Sequence, residues 1–397
     1  MTRMMTRKEF LGSMGLGTAS LLCAASGFGF PLKKGPKKQD IQKRIFPKDA
    51  PQERWKWSIE GFYYDTDGDT VQCLVCPNQC VLEPGDRSVC RSKVNMGGKL
   101  YSLAYGNPCS VHVDPIEKKP LNHFYPQSLV LSLATTGCNL RCLNCQNWEI
   151  SQRKPEEVRH TELFPNEVVK AALARATPSI AYTYSEPITF YEYMYDTAKS
   201  VKEAGLKNVL VSNGYINEEP LRDLAKYLDG ANINLKSYDD DIYRTLNGGS
   251  LRPVLDTLKT LHRERVWFEI TTLVVPTYVD SPEMMKRMCG WILSQLGPAY
   301  PLHLLRFFPR YRLTRLPPTP VETLERLRET ALKEGVHYVY LGNVPGHEGS
   351  HTYCHNCGKI LIERQGYHIG QYHLEQGHCR FCKTTIPGRW KEQTELG

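Results

Sequence analysis

The sequence has no G-x-G-x-x-G after its first predicted strand and no P-loop lysine motif anywhere, so the two common glycine cradles for nucleotide phosphates are missing. Beyond residue 32 no run is apolar enough to cross a bilayer. The body of the chain also lacks a surplus of basic charge. Of the net charge of +8, most sits in residues 1–44, where nine Lys or Arg face only Glu9 and Asp40. A nucleic-acid binder needs basic side chains on its folded surface, where they displace counterions from phosphates, so no nucleic-acid partner is expected. Low hydrophobicity is absent too: 397 residues that are 41% hydrophobic and 23% charged can bury a large core, with room for one main domain and accessories.

Residues 1–32 read as a targeting segment. Thr6-Arg7-Lys8-Glu9-Phe10-Leu11 opens an uncharged run over 10–32 that five glycines dilute. It resembles a twin-arginine export signal with Lys8 in place of the second arginine, or a loose membrane anchor. Residues 33–54, rich in Lys and Pro and without apolar periodicity, read as a tether. A cysteine-bearing module is expected over 55–125, a β/α domain over 126–345 and a second cysteine-bearing module over 346–397.

From residue 128 onward short β-rich runs alternate with amphipathic helical patterns. Strands are predicted at 129–134, 179–184, 209–212, 231–236, 266–274 and 302–307, with a short one at 337–341. Helices are predicted between them at 165–176, 188–204, 218–228, 251–263, 282–296 and 320–334. Six β/α units, each too long for a hairpin, favour an α/β fold with a parallel sheet curled into a partial (β/α)6 barrel of TIM type; a doubly wound open sheet is the alternative.

Fourteen cysteines are many for this length, and their grouping is informative. With Cys23 set aside in the leader, eleven fall into three groups and leave Cys109 and Cys289 over. Disulfide scaffolds are small and short of core, which this chain is not, so metal sites are the better reading. Cys354-x2-Cys357 and Cys379-x2-Cys382 have close to zinc-ribbon spacing, with a disulfide pair as the alternative; His355 and His378 are bystanders, because four thiolates complete the shell. Cys73, Cys76, Cys80 and Cys90 again supply four thiolates, for zinc or for an auxiliary iron–sulfur cluster.

The third group, Thr136-Gly137-Cys138-Asn139-Leu140-Arg141-Cys142-Leu143-Asn144-Cys145, spaces its thiols C-x3-C-x2-C after the first barrel strand, where β/α barrels place chemistry. Three thiolates on a [4Fe-4S] cubane leave one iron without a protein ligand, open to a small molecule; a zinc knuckle is the alternative. The spacing resembles that of radical S-adenosylmethionine (SAM) enzymes. The resemblance implies that the open iron chelates SAM, and that reductive cleavage yields methionine and a 5′-deoxyadenosyl radical that abstracts hydrogen from substrate. Asn144 stands where the family usually has an aromatic residue.

Further motifs carry the resemblance through most of the chain: Asp114-Pro115-Ile116-Glu117-Lys118-Lys119-Pro120-Leu121 with His123-Phe124, Gln146-Asn147-Trp148-Glu149-Ile150-Ser151, Tyr184-Ser185-Glu186-Pro187, Asn234-Leu235-Lys236-Ser237 and Leu341-Gly342-Asn343-Val344-Pro345-Gly346-His347. They are most similar to the AmmeMemoRadiSam system radical enzyme, a relative of pyruvate formate-lyase activating enzymes. By this resemblance Ser185 and Glu186 meet the methionine ammonium, Asn213 and Lys236 address ribose and carboxylate, and Val275 lines the adenine pocket. The run 306–311 forms a substrate-facing rim or an aromatic cap. A flavodoxin- or ferredoxin-type electron donor is implied, with a protein substrate and the partner proteins of that system as candidate partners. An oxygen-labile open cluster favours the cytoplasm or its membrane, against the export that the leader suggests. Non-enzymatic alternatives are an iron–sulfur electron carrier and a zinc-ribbon interaction protein.

Overall fold

The computed structural model describes residues 56–390; the 1–32 targeting segment and the 33–54 tether lie outside them. The central sheet has eight strands, β1 (Ser110–Pro115), β2 (Leu129–Ala134), β3 (Ser179–Tyr182), β4 (Lys207–Ser212), β5 (Gly230–Asn234), β6 (Trp267–Val274), β7 (Leu302–Arg306) and β8 (Val339–Gly342). They neighbour one another in chain order, all parallel except β1, which runs antiparallel to β2. A doubly wound sheet would reverse its strand order at a switch point. This sheet has no reversal, and β1 and β8 do not pair, as a partial barrel requires.

Each parallel strand passes to the next through a helix: α1 (Pro165–Ala174), α2 (Tyr191–Glu203), α3 (Glu218–Ala225), α4 (Leu251–Arg263), α5 (Pro282–Gln295) and α6 (Val321–Glu334). In α4 the buried Val254, Leu255, Leu258 and Leu261 recur at helical spacing and form its inner stripe. Strands covered on both faces become continuous apolar runs, which is why all four residues of β3 are buried. The predicted strand over 179–184 stops at Tyr182 because Tyr184 takes φ +62°, and the helix predicted from 188 opens instead as a 3-10 turn, Pro187–Phe190. Ser110–Pro115, assigned by sequence to the N-terminal module, forms the edge of the central sheet.

That module contributes two small antiparallel sheets over residues 59–102, and the C-terminal module a three-stranded sheet whose middle strand is Ile360–Gln365. Among the described residues no helix is long and apolar enough to cross a membrane.

A buried polar cluster clamps the C-terminal module beneath the barrel, near the amino ends of β6 to β8. Glu269, fully buried, accepts from the backbone N–H of Asn122 (2.9 Å) and His123 (2.7 Å), and lies 2.6 Å from His303 Nε2. Arg364 donates to Asn122 O (2.9 Å) and Thr352 Oγ1 (2.7 Å), while His123 Nε2 lies 2.6 Å from the Tyr340 hydroxyl. Burial raises the Glu269 carboxyl, but the hydrogen bonds from His303 and from the Asn122 N–H help to outweigh it and hold it below the ordinary value. Burial pushes His123 down to about 4.

Because His123 is held neutral in the fold and titrates near 6.5 when exposed, the unfolded chain binds the extra proton first. Stability is therefore expected to be complete above pH 6.5 and to fall as the pH drops towards 4, with a shallower slope in His123→Gln, measured by urea denaturation. Glu269→Ala strands two N–H groups and an imidazole and is expected to cost about 3 kcal/mol or more in the same measurement.

Candidate active site

The three-cysteine segment leaves β2 at its carboxyl end. Gly137 makes the turn at φ +101°, and a Cβ there would lie 2.4 Å from Ser92 Oγ and 2.5 Å from the Cys90 carbonyl, so only glycine fits. Backbone bonds pin the loop: Gly137 N–H to Ile150 O (3.0 Å), Arg141 N–H to Asn247 O (2.8 Å), Leu143 N–H to Leu246 O (2.9 Å) and Arg312 N–H to Leu143 O (2.9 Å). Cys138, Cys142 and Cys145 are each half-buried. Burial pushes the Cys138 thiol up, and Glu186 and the other two thiols add to this.

Donors converge on these sulfurs. Leu140 N–H lies 3.4 Å from Cys138 Sγ, Asn213 Nδ2 3.8 Å from the same atom, Asn247 Nδ2 3.3 Å from Cys142 Sγ, and Ser151 Oγ 3.1 Å from Cys145 Sγ. Such bonds are what cluster-bound thiolates accept, and they help to set the potential. The three sulfurs do not all lie within 4.8 Å of one another, as ligands of a single ion would. Buried polar atoms without a protein partner ring the same mouth: Thr136 Oγ1, Asn144 Oδ1, Asn234 Oδ1 and Asn247 Oδ1. Unpaired buried groups are costly, so this donor set and rim fit an iron–sulfur cluster with a polar cosubstrate.

The strand ends are stitched together. Glu186, 2% exposed, accepts from Ser212 Oγ (2.7 Å), Asn213 N–H (2.8 Å) and Ile188 N–H (3.2 Å), and so caps the turn at Pro187 and joins the ends of β3 and β4. Burial raises its pKa, opposed by these bonds and by the Lys236 charge. Ser185 Oγ donates to Thr135 O (2.7 Å). Besides Cys138, the Asn213 amide reaches Asn139 Oδ1 (2.9 Å), while Asn213 Oδ1 accepts from Tyr215 N–H (2.8 Å). Lys236 follows β5, half-buried, with its charge felt by both Glu186 and Cys145. Val275, 1% exposed, sits in an apolar cluster with Ile242, Leu246 and Phe307.

The run 306–311 divides. Phe307 is buried in that cluster, Phe308 is 45% exposed, and Tyr311 stacks on Trp148 at 5.3 Å between ring centres. Sequence reasoning missed Asn247, which reaches Cys142 from a π-helical turn, Tyr243–Asn247, far along the chain. It also left Asp114 without a role. The Asp114 carboxylate accepts from Lys118 and Lys119 (2.7 Å each) and from the Tyr184 hydroxyl, and Lys119 lies 4.4 Å from the Tyr184 ring centre. Burial opposes ionisation of Asp114, yet the two lysines hold its pKa well down; burial also lowers Lys119 to about 8.

Cys354, Cys357, Cys379 and Cys382 place all four sulfurs within 4.8 Å of one another, a spacing that could hold one metal ion. His355 instead pairs with the Tyr338 hydroxyl (2.6 Å) and His378 with Gln376 O (2.9 Å). Cys73, Cys76, Cys80 and Cys90 line a separate small cavity.

Gly137→Ala is expected to lower stability by about 2 kcal/mol or more, through left-handed backbone strain and the Cys90 carbonyl, seen as a drop in Tm of several degrees.

Comparison with known proteins agrees with this geometry. The radical SAM superfamily matches residues 132–289. An uncharacterized protein of Methanocaldococcus jannaschii is 46% identical over 327 residues, 82% of this chain and 97% of its own length. Pyruvate formate-lyase 1-activating enzyme of Escherichia coli K12 is 26% identical over 48% of this chain and 84% of its own. Among solved structures, a radical SAM methyltransferase from Sphaerobacter thermophilus covers 72% of this chain and 75% of its own, at 12% identity and a TM-score of 0.45. By the family match over residues 132–289 and its likeness to pyruvate formate-lyase activating enzymes, the chain belongs to the radical SAM superfamily and is an enzyme of that class.

Proposed function

We propose that Cys138, Cys142 and Cys145 hold a [4Fe-4S] cluster with one iron open to SAM, and that the substrate is a protein on which the enzyme acts as activase or modifying enzyme. The observation that carries this is the convergence of Asn213, Asn247 and the Leu140 N–H on sulfur, beside a rim of buried polar atoms that lack partners. Bound together, cluster and cosubstrate supply a one-electron cleavage of the sulfonium that yields methionine and a 5′-deoxyadenosyl radical.

The chain's own residues then have distinct tasks. The two asparagines and the Leu140 N–H orient the thiolates and moderate their charge. Lys236 offers a cation for the methionine carboxylate, and the remaining acceptor capacity of Glu186, with the Ser185 backbone, serves the ammonium. Asn213 stands at the ribose side and Val275 backs the adenine.

A protein substrate is favoured by the exposed aromatic rim at Phe308 and by similarity to a relative named for activating pyruvate formate-lyase. The motifs from Asp114 to Leu121 and from Leu341 to His347 favour the AmmeMemoRadiSam branch and its partner proteins. The electron comes from a flavodoxin- or ferredoxin-type donor, and the work is done in the cytoplasm or at its membrane. The C-terminal four cysteines take zinc: sulfur separations of 3.6 Å and 3.7 Å match the edge of about 3.8 Å for a tetrahedron with metal–sulfur bonds near 2.3 Å.

Anaerobic reconstitution with iron and sulfide, then dithionite and SAM, is expected to release 5′-deoxyadenosine, and Cys142→Ala to release none. Lys236→Met is expected to raise the KM for SAM about tenfold, the worth of one charge-assisted bond. Product formation by Cys142→Ala would refute the site.

A further inference from the structure

Cys73, Cys76, Cys80 and Cys90 converge on one cavity, with Lys93 and Asn139 in its wall. Three of them are nearly buried, Cys73 at 5%, Cys76 at 9% and Cys90 at 8% exposure, and all four are free thiols. Their spacing differs from that of the C-terminal set. Among the described residues, the C-terminal four are the only Cys, His, Asp or Glu group of three or more whose donor atoms all lie within 4.8 Å of one another. No three of the N-terminal sulfurs meet that limit, although all four face the same space. One tetrahedral ion needs sulfurs about 3.8 Å apart. A cubane gives each thiolate its own iron and so holds the sulfurs farther apart.

We propose that Cys73, Cys76, Cys80 and Cys90 ligate a second four-iron cluster, not a zinc ion. Lys93 in the cavity wall is 1% exposed and already paired, bonding both carboxylate oxygens of Glu192 at 2.6 Å, so the thiols are the groups the cavity leaves for a ligand.

With all four irons ligated by protein, such a cluster has no place for substrate and can only take up and return an electron. Its wall is shared with the catalytic loop. Asn139, which lines the cavity, follows Cys138 directly; Asn78 Nδ2 donates to Asn139 O (2.8 Å), and the Cys90 carbonyl abuts Gly137. Resting on the reading that Cys138, Cys142 and Cys145 hold the catalytic cluster, the second cluster is a one-electron relay to it. A ferredoxin- or flavodoxin-type donor is oxidised by one electron, the relay returns to its starting state, and no bond is made or broken there.

Metal analysis of the full chain, purified without oxygen, tests the site. Iron and labile sulfide for two four-iron clusters with one zinc per chain are expected; iron for one cluster with two zinc ions overturns the proposal. Cys73→Ala/Cys76→Ala should lose half the iron and keep the zinc, and the wild-type ratio decides the matter even if that variant fails to fold. In dithionite-reduced wild type, electron paramagnetic resonance should show two clusters broadened by mutual coupling, with the broadening gone in this variant and in Cys142→Ala. Two sharp, independent signals overturn the relay. Full iron in Cys142→Ala with half in Cys73→Ala/Cys76→Ala would sink the catalytic reading and leave this one standing.

Discussion

The carboxyl mouth of the barrel depends on one buried carboxylate. Glu186 is almost without solvent, where an unpaired charge would be prohibitive, and it stays acceptable because a hydroxyl and two backbone N–H groups surround it. Two of those donors belong to the end of β4, so the same bonds that pay for burial set the position of Asn213. Asn213 in turn touches Cys138 and Asn139. A single acid thereby transmits the spacing of two strands to the loop that carries the cysteines, and the site is as rigid as the sheet beneath it.

The barrel divides its labour between its two ends. At the amino end Glu269, His123, His303 and Arg364 form a closed polar network whose members are nearly all bonded within the protein. At the carboxyl end Asn213, Asn247 and Ser151 instead turn polar atoms towards three half-buried sulfurs. The division is the one expected of β/α barrels, with stability at the amino end and chemistry at the carboxyl end. Lys119, Asp114 and Tyr184 tie an early motif to the segment before Glu186, so residues distant in sequence act on the same strand end.

Much of this was legible in the sequence because it rests on local rules. Alternating β-rich and amphipathic segments located all seven parallel strands, and with them the loop after β2 that carries Cys138, Cys142 and Cys145. Features that depend on contacts between remote residues were not legible. Asn247 meets Cys142 across 105 positions, and nothing in an Asn-Gly-Gly turn announces that partner. Val-His-Val-Asp-Pro did not read as barrel because its exposed, partly charged pattern belongs to an edge, where only one side needs pairing. The two four-cysteine groups each offer four thiolates in sequence, but among the described residues only the C-terminal set brings all its sulfurs within 4.8 Å of one another.

The reversed direction of β1 limits how this protein can be taken apart. Coming from the cysteine-rich residues, the chain runs down along β2, crosses below the sheet through Asn122 and His123, and returns upward as β2 itself. Cutting at residue 126 would strip a hydrogen-bonded border from the sheet and remove Asp114, Lys119 and the backbone groups that Glu269 holds. The parallel part of the barrel is therefore not a separable cassette: evolution, or an engineer, can exchange it only together with the segment that precedes it.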